Sequence, residues 1–148
     1  EIYQCDWSSD VCSSDLRLFF KSGDMGRIDE DGFVILLDRK KDMIISGGFN
    51  VYAADIEVLL LKHPDVIDVA VIGIPSEQWG ESPMALCVRR AAASATEDHV
   101  RDWANNRLSK TQRIVAVEFR DSLPRSTIGK IMKRELREPY WAGRSSRI

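Results

Sequence analysis

Apolar residues in this chain recur at two spacings, and each spacing predicts its own kind of element. Met43-Ile44-Ile45 reads as a short strand that Gly47-Gly48 stops. Ala54 to Lys62 has the helical period: Ile56, Leu59 and Leu60 share a face, Asp55 and Glu57 suit the positive end of the helix dipole, and Pro64 enforces a stop. Val66 to Ile74 and Met84 to Arg89 are apolar runs of strand length, predicted as buried strands joined by a long loop from Pro75 to Pro83. Thr96 is placed to cap a helix with the apolar face Val100, Trp103, Ala104 and Leu108, and Ile114 to Phe119 predicts another strand. The last helix, Lys130 to about Arg137, has two opposed stripes: Ile128, Ile131, Met132 and Leu136 against Lys130, Lys133, Arg134 and Arg137. Upstream, Phe19-Phe20-Lys21 and Gly32 to Leu37 flank an Asp29-Glu30-Asp31-Gly32 turn and predict a hairpin.

From residue 42 the order is β-α-β-β-α-β-α, a small α+β domain with a short mixed sheet packed by about three helices. The hairpin does not belong to it, and the boundary falls near Lys40-Lys41. Composition narrows the function. The chain has 148 residues and a net charge of −2, which excludes a strongly basic nucleic-acid binder. With 44% apolar and 30% charged residues it is not a disordered chain, and no apolar run approaches the length of a transmembrane helix. The balance is uneven: residues 121–148 hold 7 basic and 3 acidic side chains, so the tail is the basic end. Cys5, Cys12 and Cys87 lack C-x-x-C spacing and are joined only by His63 and His99, so neither a disulfide framework nor a metal site is expected and the cytoplasm is the default compartment.

Residues 1–16 do not resemble a signal peptide. Cys5-Asp6-Trp7-Ser8-Ser9-Asp10 and Cys12-Ser13-Ser14-Asp15 nearly repeat, and the second back-translates onto a sequencing-adapter end, so this stretch reads as a non-native leader. A polar terminal tail is the alternative.

Three segments carry candidate chemistry. In Ser22-Gly23-Asp24-Met25-Gly26-Arg27 a carboxylate lies between glycines, suited to a polyol such as ribose, though an Asp-rich turn has the same pattern. In Asp38 to Val51, alternating charge precedes a strand and then Gly47-Gly48, which fits either a solvated connector or a loop that lets a substrate pass against the backbone. Pro124 to Ile131 contains Gly129-Lys130, but Pro124 and Ile131 break the phosphate-loop pattern. A solvated basic helix and a lysine delivered to an anion both remain open there.

Together, these segments resemble the C-terminal part of AMP-forming acyl-CoA synthetases, within the adenylate-forming superfamily. The likeness runs from Phe19 to Leu136 and includes N-V-Y-A-A-D-I-E at 50–57 and G-I-P-S-E-Q-W-G-E at 73–81. The resemblance implies that Asp24 binds the ribose hydroxyls of ATP and that Arg39 lies near its ribose and phosphates. It makes Lys41 a hinge, Lys130 the catalytic lysine of adenylation, and Ser46, Gly47 and Gly48 the wall of a pantetheine tunnel. Ala53 and Asp55 depart from the family's common Pro and Glu. ATP, Mg2+ and CoA are implied, with Mg2+ and most of ATP held by an N-terminal adenylation domain. That domain, with its phosphate loop and acyl pocket, is not in this sequence.

On this reading residues 17–40 end the large domain, 41–140 form the mobile small domain and 141–148 are a tail. The expected function is part of an ATP-dependent acid–CoA ligase, inactive alone, with a fatty or aromatic acid as substrate. Its partners would be the missing domain and a carboxylic acid, not nucleic acid, with peripheral membrane contact left open. The alternatives are a peptide-synthetase adenylation fragment and a non-catalytic module that binds a nucleotide or another anion.

Overall fold

The structure, a computed structural model, describes residues 3–4 and 23–143. The chain divides into two compact units, Glu1–Lys41 and Asp42–Ile148.

In the first unit, β1 (Tyr3–Gln4), β2 (Asp24–Ile28) and β3 (Val34–Arg39) form an antiparallel sheet in that order. The expected strand at Phe19–Lys21 lies outside the described residues, and the partner of β3 is the segment that contains Asp24. The turn follows its sequence signal. Asp29 Oδ1 accepts from the N–H groups of Asp31 and Phe33, at 3.1 and 2.8 Å, while Gly32 takes a positive φ of 87°.

The second unit contains β4 (Ile44–Ser46), β5 (Phe49–Val51), α1 (Ala53–Leu60), β6 (Val66–Ser76), β7 (Gly80–Arg89), α2 (Glu97–Asn105), β8 (Ala116–Arg120) and α3 (Lys133–Trp141). Its mixed sheet runs β5-β4-β7-β6, and β8 pairs with β7 as the one parallel neighbour. The apolar runs of β6 and β7 are buried on both faces, which is why they are continuous rather than alternating. Val69, Val71, Ala85 and Cys87 face α1 and α2, packing with Ile56, Leu60 and Val100. Ala70, Ile72, Met84 and Leu86 face the other way, against Leu123 and Leu136. Thr96 caps α2 as its sequence predicts, accepting from His99 N–H at 3.2 Å.

Three details differ from expectation. First, Gly47-Gly48 does not merely stop β4: it turns the chain into β5, a strand the sequence reading omits. Second, β6 and β7 extend through the predicted loop to Ser76 and Gly80, leaving only Glu77–Trp79 between them. Pro75 is tolerated because β6 is an edge strand, and Pro83 because it lies between the stretch of β7 that pairs with β4 and the stretch that pairs with β8. Third, the last helix begins at Lys133 rather than Lys130, since residues 130–132 spend their backbone bonds on Pro124 and Ser126. Its expected stripes are therefore broken: Ile128 is 76% exposed on the preceding loop, and Lys133 turns inward. Among the described residues no helix is long and apolar enough to cross a membrane.

Candidate functional site

The hairpin register brings Asp24 and Arg39 face to face. They are direct partners across β2 and β3, and Arg39 Nε lies 3.5 Å from Asp24 Oδ1. Lys40 N–H closes the open end of the hairpin on Gly23 C=O at 2.8 Å. Asp38 and Arg39 are thus strand residues rather than part of a connector. Lys41 follows them as the last residue of the first unit.

In the second unit, Ser46, Gly47 and Gly48 form the turn between β4 and β5. Both glycines have positive φ, 57° and 82°, as a two-residue hairpin turn needs. Gly47 N–H donates to Trp79 C=O at 2.9 Å, and a Cβ on Gly47 would stand 2.6 Å from the Trp79 ring. The turn therefore packs against the tip of the β6–β7 hairpin through a bare backbone. Beside it is a cavity of about 540 Å³ lined by Ser46, Phe49 and Trp79, with Lys110 and Arg113 supplying positive charge. Asn105 fixes one wall, donating to Ile114 C=O and accepting from Ile114 N–H, both at 2.9 Å. A long ligand with an apolar stem and anionic groups would match this lining.

Lys130 lies elsewhere. It ends a tight loop whose mouth is an Arg125–Ile131 bridge and whose tip turns at Gly129, φ 81°. The side chain is exposed, and among the described residues its ammonium meets no carboxylate. Arg125 ties this loop to Asp68, near the start of β6, whereas Ser46 pairs with Gly80, just past the end of β6. The eight residue steps from Asp68 to Ser76 span roughly 26 Å of extended strand, so the lysine loop and the glycine turn occupy opposite ends of one hairpin.

Sequence reasoning missed the cavity residues Phe49, Trp79, Lys110 and Arg113. A Gly-Gly pair between apolar residues is a hairpin signal and could have placed Phe49 on a strand. Nothing in the local pattern of Lys110 and Arg113 points to this cavity. It also missed the pair between Lys133 Nζ and Glu57 Oε1 at 2.8 Å, where Glu57 Oε1 additionally accepts from Val71 N–H at 2.7 Å. Cys87 is fully buried and its thiol is pushed up to about 12 by burial, with Glu97 adding to it, so it is not a nucleophile. Among the described residues no three His, Cys, Asp or Glu side chains are grouped so that they could hold a metal ion.

The family described as the AMP-binding enzyme C-terminal domain matches residues 55–130. A 2-succinylbenzoate–CoA ligase of Geobacillus kaustophilus is 44% identical over 80% of this chain, and the long-chain-fatty-acid–CoA ligase FadD13 of Mycobacterium tuberculosis is 43% identical over 84%. The match spans 24% of the length of each of these relatives. Among solved structures, ATP-bound MatB from Rhodopseudomonas palustris superposes with a TM-score of 0.77 at 42% identity, covering 83% of this chain and 24% of that one.

Proposed function

The chain belongs to the AMP-binding enzyme C-terminal domain family, and from that membership we propose that it supplies the mobile small domain of an ATP-dependent acid–CoA ligase, preceded by the last hairpin of the adenylation domain. The observation that carries this reading is the placement of the two loops. The Lys130 loop and the Ser46–Gly48 turn stand at opposite ends of the β6–β7 hairpin, so one rigid domain cannot present both to a single reacting centre. A reaction in two steps, with a domain rotation between them, uses each end in turn.

In the first step a substrate carboxylate oxygen attacks the α-phosphorus of ATP, and pyrophosphate leaves. Both reactants are anionic, and the Lys130 ammonium placed between them offsets their repulsion in a site that excludes water. Asp24, on its strand beside Arg39, accepts from the ribose hydroxyls, and Arg39 lies near the phosphates. In the second step the CoA sulfur attacks the acyl carbon, its proton is released, and AMP departs. Lys130 is then withdrawn, and the pantetheine arm runs along the glycine turn, where the Cβ side of Gly48 is open and the Trp79 ring walls Gly47. The cavity beside that turn accommodates the rest of CoA, with Lys110 and Arg113 facing its phosphates. Those two cations favour CoA over a pantetheine arm tethered to a carrier domain. Mg2+ accompanies ATP on the adenylation domain. The acid is of the fatty or aromatic class, the classes named for the two relatives.

The test is a pair of half-reactions in the complete ligase. Lys130→Ala should slow acyl-adenylate formation by about 10²–10³-fold, yet leave thioester formation from preformed acyl-adenylate intact. Equal loss of both steps would sink the assignment of Lys130. The chain by itself should not bind an acyl-adenylate analogue at micromolar concentration; such binding would support a free-standing nucleotide module instead.

A further inference from the structure

The loop that carries Lys130 is built to a fixed shape. Ser126 N–H donates to Lys130 C=O at 2.8 Å, and Lys130 N–H returns a bond to Ser126 Oγ at 3.2 Å. Gly129 N–H closes the turn on Ser126 C=O at 2.9 Å, and Met132 N–H donates to Pro124 C=O at 2.8 Å. These bonds set the loop's internal geometry but do not locate it on the domain. Arg125 does that. Its Nη1 donates to Gly129 C=O at 2.7 Å, while its Nη2 is paired with the Asp68 carboxylate on β6. One planar guanidinium therefore joins the peptide immediately before Lys130 to the sheet.

Resting on the role proposed above for Lys130, we propose that Arg125 is a positioning residue for the adenylation step, with Asp68 as its anchor. The Arg125–Asp68 pair is partly exposed, at 46% and 28%, so water screens it and its contribution to stability is small. Its value is geometric. A lysine side chain is long and flexible, and its reach to an α-phosphate depends on where its own backbone is held. A displacement of about 1 Å in a reacting group can cost on the order of 10²-fold in rate. The guanidinium suits this work because its donors diverge in one rigid plane, so one bonds the loop and another the strand. An ammonium on a flexible stem reproduces the charge but not that fixed span. The loop's downstream side needs no such strap, since Lys133 is already held by Glu57 with both side chains mostly buried, at 16% and 19% exposed.

The experiment compares Arg125→Lys, Asp68→Asn and Lys130→Ala in the complete ligase, measuring both half-reactions in single turnovers together with the melting temperature. Arg125→Lys should slow adenylation roughly 10- to 100-fold with KM for ATP little changed, leaving thioester formation from preformed acyl-adenylate and the melting temperature at wild-type values. Asp68→Asn keeps the bond to Gly129 and should show a smaller loss in the same step. Adenylation within about twofold of wild type in Arg125→Lys, while Lys130→Ala slows it by about 10²–10³-fold, overturns the proposal. So does a parallel fall of both half-reactions with the melting temperature, the signature of a merely structural role. Wild-type adenylation in Lys130→Ala would instead overturn the reading of the lysine itself, and the strap with it.

Discussion

Gly47 shows how a single missing side chain can shape the packing around a turn. Its φ of 57° lies in the left-handed region, and the space a Cβ would need is filled by the Trp79 ring. Alanine there would meet both obstacles, a backbone cost of about 1–2 kcal/mol and displacement of the indole from the turn. Since Trp79 also lines the adjoining cavity, the disturbance reaches the proposed CoA path. Gly47→Ala should therefore slow thioester formation at least about tenfold while adenylation stays near wild type, as read in separate half-reactions. A loss confined to adenylation would remove the glycine turn from the CoA path. Gly47-Gly48 was legible in sequence as an unobstructed stretch of backbone. That Trp79, more than thirty positions away, seals one side of it was not, because such contacts depend on strand pairing rather than on neighbours in the chain.

The packing between elements contains one group whose charge state matters to stability. His63, just past α1, is 3% exposed and stacks edge-on against Trp103 and His99 on the α2 side. Burial lowers its pKa below the usual histidine range. Asp65 opposes that effect, and the His99 and Arg107 charges reinforce it. Its Nδ1 accepts from Asp65 N–H at 3.1 Å, a bond that needs that nitrogen unprotonated. The native state therefore binds the proton less readily than the unfolded chain does. Stability from this group is complete above the unfolded pKa of about 6.5 and is lost as pH falls below it toward the folded value. Thermal melts from pH 7.5 down to 5.5 should show a falling midpoint, and His63→Asn, which keeps an acceptor near the same place, should flatten the fall. An unchanged slope in that variant would assign the dependence to other groups. The helices themselves were readable: α1 and α2 have clear apolar faces, and Thr96 marks the start of α2. The start of α3 was not. Its basic and apolar positions repeat at helical spacing from Ile128 onward, but loop bonds to Pro124 and Ser126 claim residues 130–132 before a helix can form.

At the scale of the whole molecule, the division at Lys41-Asp42 matters most. If the small domain must rotate between the two steps, the backbone next to that boundary must change its dihedral angles. Proline fixes φ and restricts the residue before it, so Lys41→Pro should trap one orientation. We expect adenylation to persist and CoA transfer to slow, in a complete ligase assayed for each half-reaction. An unaffected second step would place the hinge elsewhere. The opposite-ended arrangement of the Lys130 loop and the glycine turn gives such a rotation its purpose.

The sequence by itself determined the α+β class, the helices, the buried strands and the short motifs that carry the family likeness, because periodicity and turn chemistry are local properties. It also marked Asp24, Arg39, Lys41, Gly47, Gly48 and Lys130 as candidates. Only the tertiary structure decided which of them are neighbours. The antiparallel register places Asp24 opposite Arg39, the β6–β7 hairpin places Trp79 on Gly47, and the Arg125 guanidinium joins Gly129 to Asp68. Each of these meetings joins residues distant in sequence or turns on the path of one side chain, and a one-dimensional pattern specifies neither.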